Sequence, residues 1–248
     1  MQVLWVTLTG LAVSFVFSMV GSGGSQVMVP VLFWLGLPFK SGAIPLALLE
    51  SAVTCFSAGA VYAKKGLVVS RSTVLPFAIS VLVAAPIGAL VNFTAKSNVL
   101  MIIFAFSNML VGIGVLKGQG LVKHSFSRRG VLTLGIILGF GVGFVLGMIG
   151  RDGGPFVVFV LVLMGFEAKE AAGTSTLIIA AGCLAAFLTH LPKATVSWEA
   201  MLAGSLACLV GSQLGSRLMS ERLNSKSVQI LFASVMFVVG VIILIQAF

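Results

Sequence analysis

Long apolar runs and brief polar interruptions alternate along the chain. Ten apolar segments can be marked, near 3–20, 25–37, 43–63, 72–91, 98–116, 131–149, 154–166, 171–191, 197–216 and 227–246. Most reach the roughly 20 residues that carry an α-helix across a bilayer. Segments 25–37 and 154–166 do not: each has 13 residues, about 20 Å of helix against a ~30 Å hydrocarbon core. Each follows a glycine-rich interruption, Gly21-Ser22-Gly23-Gly24-Ser25 in the first half and Gly150-Arg151-Asp152-Gly153-Gly154 in the second, 129 positions on. The same interval separates Gly10, Ser14 and Ser18 from Gly139, Gly143 and Gly147, and Gly36 and Lys40 from Gly165 and Lys169. The pattern predicts an all-α polytopic membrane protein. It has two repeats of about five hydrophobic segments, 1–116 and 131–248, each with a broken or re-entrant helix, joined by a cytoplasmic linker at 117–130.

The spacing of four in Gly10, Ser14 and Ser18, and in Gly135, Gly139, Gly143 and Gly147, puts small residues on one helical stripe. Such stripes let helix backbones approach closely in lipid, and a packing role is expected for them. The third segment of each half is polar for a membrane helix. Glu50, Thr54 and Ser57 share one face of 43–63, and Gly173-Thr174-Ser175-Thr176 opens 171–191. A buried carboxylate is costly when ionised, so Glu50 is a candidate for proton or ion coupling.

Composition agrees with the pattern. Apolar residues make up 59% and charged residues 8%, with a mean hydropathy of +1.18, whereas soluble domains carry about 25% charged residues. The net charge of +9 sits in short loops, so it reads as an orientation signal and not as a nucleic-acid surface. Cys55, Cys183 and Cys208 lie within apolar segments and read as packing residues without metal-ligand spacing. The apolar N-terminus reads as the first membrane segment and not as a signal peptide. With no nucleotide-binding loop, no cofactor is expected, and ATP-driven transport would need a partner.

Charge counting gives a topology. With loops 64–71 and 117–130 cytoplasmic and an even number of crossings in each pair 3–37 and 131–166, eleven basic residues lie inside. Only Lys40, Lys96 and Lys193 lie outside, and Arg151 stays in the break. If each pair were one broken span, the count would be eight against six. The first arrangement obeys the positive-inside rule better, leaves both termini outside and makes the two halves inverted.

Irregular backbone at membrane depth must be packed in protein or line a cavity. If the two breaks are hairpin tips, helix N-termini meet near the midplane, where free N–H groups favour an anion. Candidate substrate-binding residues are Ser22, Gly23, Gly24, Ser25, Arg151, Asp152, Gly153, Gly154, Thr174 and Ser175. Arg151 adds a planar fork suited to sulfonate, sulfite or carboxylate oxygens. Asp152 could neutralise it, couple a cation or carry a proton; a structural Arg–Asp pair is the plainer alternative.

The stretches GSGGSQVMVPVLFWLGLPFKSG and GRDGGPFVVFVLVLMGFEAKEAAGTS resemble the duplicated motif of the TauE/SafE, sulfite-exporter-like membrane proteins. Gly23, Gly24, Gly153, Gly154, Gly173, Thr174 and Ser175 match it. Arg151 and Asp152 depart from it, as do Ile44-Pro45-Leu46 in place of Gly-Thr-Ser and Phe159 in place of a second proline. The resemblance implies a multi-pass protein of the bacterial or archaeal inner membrane. Its implied activity is ion-coupled secondary transport of sulfite, organosulfonates or other small organic anions, by alternating access at a midplane site. The expected partners are the anion, a proton or sodium ion, and lipid; self-association is left open. The alternatives are an anion channel and an intramembrane enzyme using Ser22 or Ser25 with His190, for which no dyad spacing exists.

Overall fold

The computed structural model describes residues 2–68, 71–104, 106, 128–164 and 166–222. The last apolar segment, 227–246, and most of the linker lie outside these. The described helices are α1 (Gln2–Ser18), α2 (Ser25–Trp34), α3 (Ile44–Lys64), α4 (Arg71–Thr94), α5 (97–104), α6 (Arg128–Ile149), α7 (Gly154–Leu163), α8 (Ala168–His190) and α9 (Trp198–Arg222). Among the described residues there is no strand. Among the described residues four stretches, Phe39–Lys64, Val74–Thr94, Leu132–Ile149 and Lys169–Lys193, are long and apolar enough to cross a membrane. The chain is an all-α, multi-pass membrane protein.

The two short segments are short helices of 10 residues each, about 15 Å long. Segment 25–37 stops being helical at Trp34. Its last residues form the closing turn, in which the Leu37 N–H donates to Leu32 O at 3.2 Å and the Gly36 N–H to Phe33 O at 3.0 Å. The Phe166 N–H donates to Leu161 O at 3.1 Å at the corresponding end of α7. Helix α6 is already helical at Arg128, the first described residue of the linker and three residues before its apolar segment; arginine is a strong helix former.

Neighbouring helices can be oriented from their contacts. Gly10 meets Gly204 and Cys208, Ser14 meets Gly211, and Ser18 meets Gly215, so α1 and α9 run in the same direction. Helix α3 joins them in parallel: Glu50 lies at Gly204, Gln213 Nε2 donates to Ser57 Oγ at 2.9 Å, and Lys65 pairs with Glu221 at 3.1 Å. Helices α4 and α6 are likewise parallel, with Phe77 at Gly139, Val81 at Gly143 and Ala85 at Gly147. Helix α8 runs with these two, Gly182 lying at Val81 and His190 at Phe93. Helix α3 runs against α8, since Gly59 meets Leu177 while Gly173 meets Tyr62. The first-half helices α1 and α3 therefore pack with α9 of the second half, and α6 and α8 pack with α4 of the first.

The small-residue stripes make this packing close. A Cβ on Gly143 would collide with Val81 O, and one on Gly215 with Phe15 O, which is backbone-to-backbone contact. The outer faces carry large exposed side chains, including Leu75, Leu90, Leu202 and Leu206, exposed by 58–65%. So continuous an apolar surface belongs in lipid. A repeated lysine fastens each half. Lys40 Nζ donates to Phe93 O and Ala95 O at 3.2 and 2.9 Å, and Lys169 Nζ to Ser220 O at 3.4 Å. The first places a cation at the C-terminus of α4, where the unsatisfied carbonyls favour one.

Candidate functional site

The two breaks meet in the interior. Gly21 and Gly150 end α1 and α6 with φ of 75° and 72°, a left-handed turn that glycine adopts without strain. Each break rests on the other half's third helix. A Cβ on Gly21 would lie 2.6 Å from Ala172 Cα, and one on Gly150 2.8 Å from Ile44 Cγ2. Break also touches break: a Cβ on Gly154 would lie 2.7 Å from Gly21 O and 2.8 Å from Ser22 Cα. Gly23 packs on Ser51 of α3, Gly24 on Val13 and Gly153 on Val142.

One carboxylate sits at the junction. Asp152 Oδ1 accepts from Ser22 Oγ at 2.8 Å and from the Gly154 N–H at 3.1 Å. Its Oδ2 accepts from the Ser25 N–H at 3.1 Å and Ser25 Oγ at 3.2 Å. The Gln26 amide, with its nitrogen toward the carboxylate, donates to the two oxygens at 3.1 and 2.9 Å. In return the Asp152 N–H donates to Ser25 Oγ at 2.7 Å. Ser175 of α8 spans both tips, its hydroxyl 2.8 Å from Gly21 O and 2.9 Å from Gly154 O. Ser22, Ser25, Gln26, Asp152, Thr174 and Ser175 are fully buried, and Arg151 is 4% exposed. Desolvating a carboxylate costs several kcal/mol. Hydrogen bonds to a charged group, worth about 1.5–3 kcal/mol each, are what can offset that.

Residues 6–243 match the family model described as sulfite exporter TauE/SafE. The chain belongs to that family. It is similar to a probable membrane transporter protein, YunE, of Bacillus subtilis (strain 168), at 24% identity over 97% of this chain and 96% of the relative. It is also similar to a probable membrane transporter protein of Xylella fastidiosa (strain 9a5c), at 25% identity over 91% of this chain and 88% of the relative. No solved structure matches it.

In this TauE/SafE chain the structure gathers the expected tip residues Ser22, Gly23, Gly24, Ser25, Asp152, Gly153, Gly154 and Ser175 into one cluster. Arg151 is buried beside Asp152 in sequence, and Thr174 is buried beside Ser175. Glu50 lies apart, between α1 and α9. A Cβ on Gly204 would collide with its Oε1, and one on Gly10 would lie 3.6 Å from it. Neither Glu50 oxygen makes a hydrogen bond among the described residues, and neither does Thr54 Oγ1, one turn along α3. Both stripes of small residues pack helix against helix, as their spacing predicts. His190 Nε2 lies 3.0 Å from Gly147 O, while Ser22 and Ser25 are engaged with Asp152.

Gln26 and Ser51 were not among the expected site residues. Gln26 is a lone amide in an apolar segment directly after a break, and an amide is not buried without partners; that was the available signal. Ser51 is fully buried against Gly23, and its hydroxyl makes no hydrogen bond among the described residues.

Proposed function

We propose that this protein is an ion-coupled secondary transporter of small anions, of the sulfite, organosulfonate or carboxylate class, working by alternating access around the paired breaks. The observation that carries the reading is the convergence of donors from both breaks, backbone N–H groups among them, on one buried carboxylate. A site that holds one oxyanion group by N–H and O–H donors is chemically suited to hold another. The opposed directions of the two three-helix sets support inverted repeats, with the breaks at the axis that relates them. The names of the relatives agree with transport. Glu50, buried and without a hydrogen-bond partner among the described residues, is the candidate for carrying the coupling proton or sodium ion.

Reconstitution in liposomes tests this. Labelled sulfite should exchange by saturable counterflow against internal sulfite. A conductive flux that neither saturates nor supports counterflow would reject alternating access and leave the anion channel.

A further inference from the structure

We propose that Asp152 is a tethered anion: its carboxylate occupies the position of the substrate's acid group and is exchanged for it on binding. The inference rests on the anion-transport reading and says how that site is kept when no substrate is in it. The donors are fixed by the fold. The Ser25 N–H belongs to the first turn of α2, the Gly154 N–H to the first residue of α7, and Ser22 and Gln26 flank them. All are buried. Without an acceptor they would be orphaned in an apolar interior, which proteins avoid. Asp152 supplies that acceptor from within the chain. A carboxylate, sulfonate or sulfite carries the same feature, two or more oxygens on one atom, and can take over both halves of the donor set.

A second observation, independent of the hydrogen bonds to Asp152, lies beside the first break. Ser51 packs on Gly23 of the first break, is fully buried, and keeps a hydroxyl without a hydrogen-bond partner among the described residues. A buried group in that condition is costly unless another state supplies its partner. A substrate larger than the Asp152 carboxyl, with a third oxygen, is the kind of ligand that would do so. The arrangement makes Asp152 a competitor of its own substrate, and the measured affinity is lowered by the fraction of molecules in which the site is self-occupied.

Sulfite is the probe, titrated into purified wild type, Asp152→Asn and Asp152→Ala, with the melting temperature of each recorded. If Asp152 fills the site in nine molecules of ten or more, both variants should bind sulfite at least about tenfold more tightly than wild type. Asn keeps the volume and most of the hydrogen bonding, so it carries the test if the alanine variant fails to fold. In wild type, sulfite should also change the infrared carboxylate bands, and that change should vanish in Asp152→Asn. Wild-type binding with equal or weaker affinity in a folded variant, or no carboxylate change, overturns the tethered anion and leaves the anion site standing. Failure of sulfite, methanesulfonate and acetate to bind any of the three proteins overturns the anion reading itself, and this inference with it.

Discussion

The two breaks share their turn glycines and divide the chemistry. Positions 129 apart do the same geometric work: Gly21 and Gly150 turn the chain at φ of 75° and 72°, and Gly24 and Gly153 pack on Val13 and Val142, themselves 129 apart. Where the side chain faces the other tip, the copies differ. The first break offers the neutral hydroxyls of Ser22 and Ser25; at the positions matching Ser22 and Gly23 the second carries Arg151 and Asp152. The supporting helices differ in the same way. Ser175 spans both tips from α8, whereas its counterpart in α3 is Leu46, buried and apolar. Glu50 in α3 corresponds to Ile179 in α8, also buried. The two copies thus keep glycine at the turns and diverge where the tips face each other. One tip presents donors and the other presents the acceptor that holds them.

The sharpest way to break this comparison is to fill the two equivalent glycines. Gly24→Ala and Gly153→Ala each drive a Cβ into a valine, and overpacking of this kind costs about 1–3 kcal/mol. Gly24 also has φ of 89°, whereas Gly153 has −95°, so the first substitution adds a backbone penalty of about 1–3 kcal/mol. Thermal unfolding in detergent should place Gly24→Ala below Gly153→Ala. Val142→Ala should restore most of the stability of Gly153→Ala, while Val13→Ala should only partly restore Gly24→Ala. Equal rescue of both would mean that the two turns differ less than their backbone angles imply.

A smaller effect on folding is expected at Glu50, the other point of asymmetry. Its oxygens make no hydrogen bond among the described residues, so Glu50→Gln should change stability by no more than about 1 kcal/mol. Transport should nevertheless lose most of its dependence on pH or on the sodium gradient. Unaltered coupling in a folded Glu50→Gln protein would assign the residue to the packing of α1 against α9.

The fold was legible where it depends on local pattern. Apolar run lengths located the described helices, and the in-register glycines located both breaks. Helix runs past the apolar segments where polar residues can still be helical, as at Arg128 before α6 and from Arg217 to Arg222 in α9. Which helices pair across the halves was not legible. Gly10, Ser14 and Ser18 announce a close neighbour, but nothing in a linear stripe says that it is α9. The same limit applied at the site. The tip residues could be named from the repeat, and Asp152 could be given three roles, all local to its own break. Its observed partners, Ser22, Ser25 and Gln26, lie 126–130 positions away, a relation only the tertiary fold creates.

The central claim, that an oxyanion is bound between the two breaks, is tested most directly at the charged tip. Sulfite affinity should be measured in wild type, Arg151→Ala, Asp152→Ala and the double variant, with Arg151→Lys as the charge-conserving control. Losing a charge-assisted hydrogen bond of about 1.5–3 kcal/mol should weaken binding by roughly ten- to a hundredfold in Arg151→Ala. Arg151→Lys, which keeps the charge but not the fork, should fall between this variant and wild type. The double variant should remain weaker than Asp152→Ala by the same factor. Near-wild-type affinity in Arg151→Ala, together with a double variant that binds as tightly as Asp152→Ala, would contradict the account of the charged tip and leave any anion to the backbone N–H groups of the two breaks.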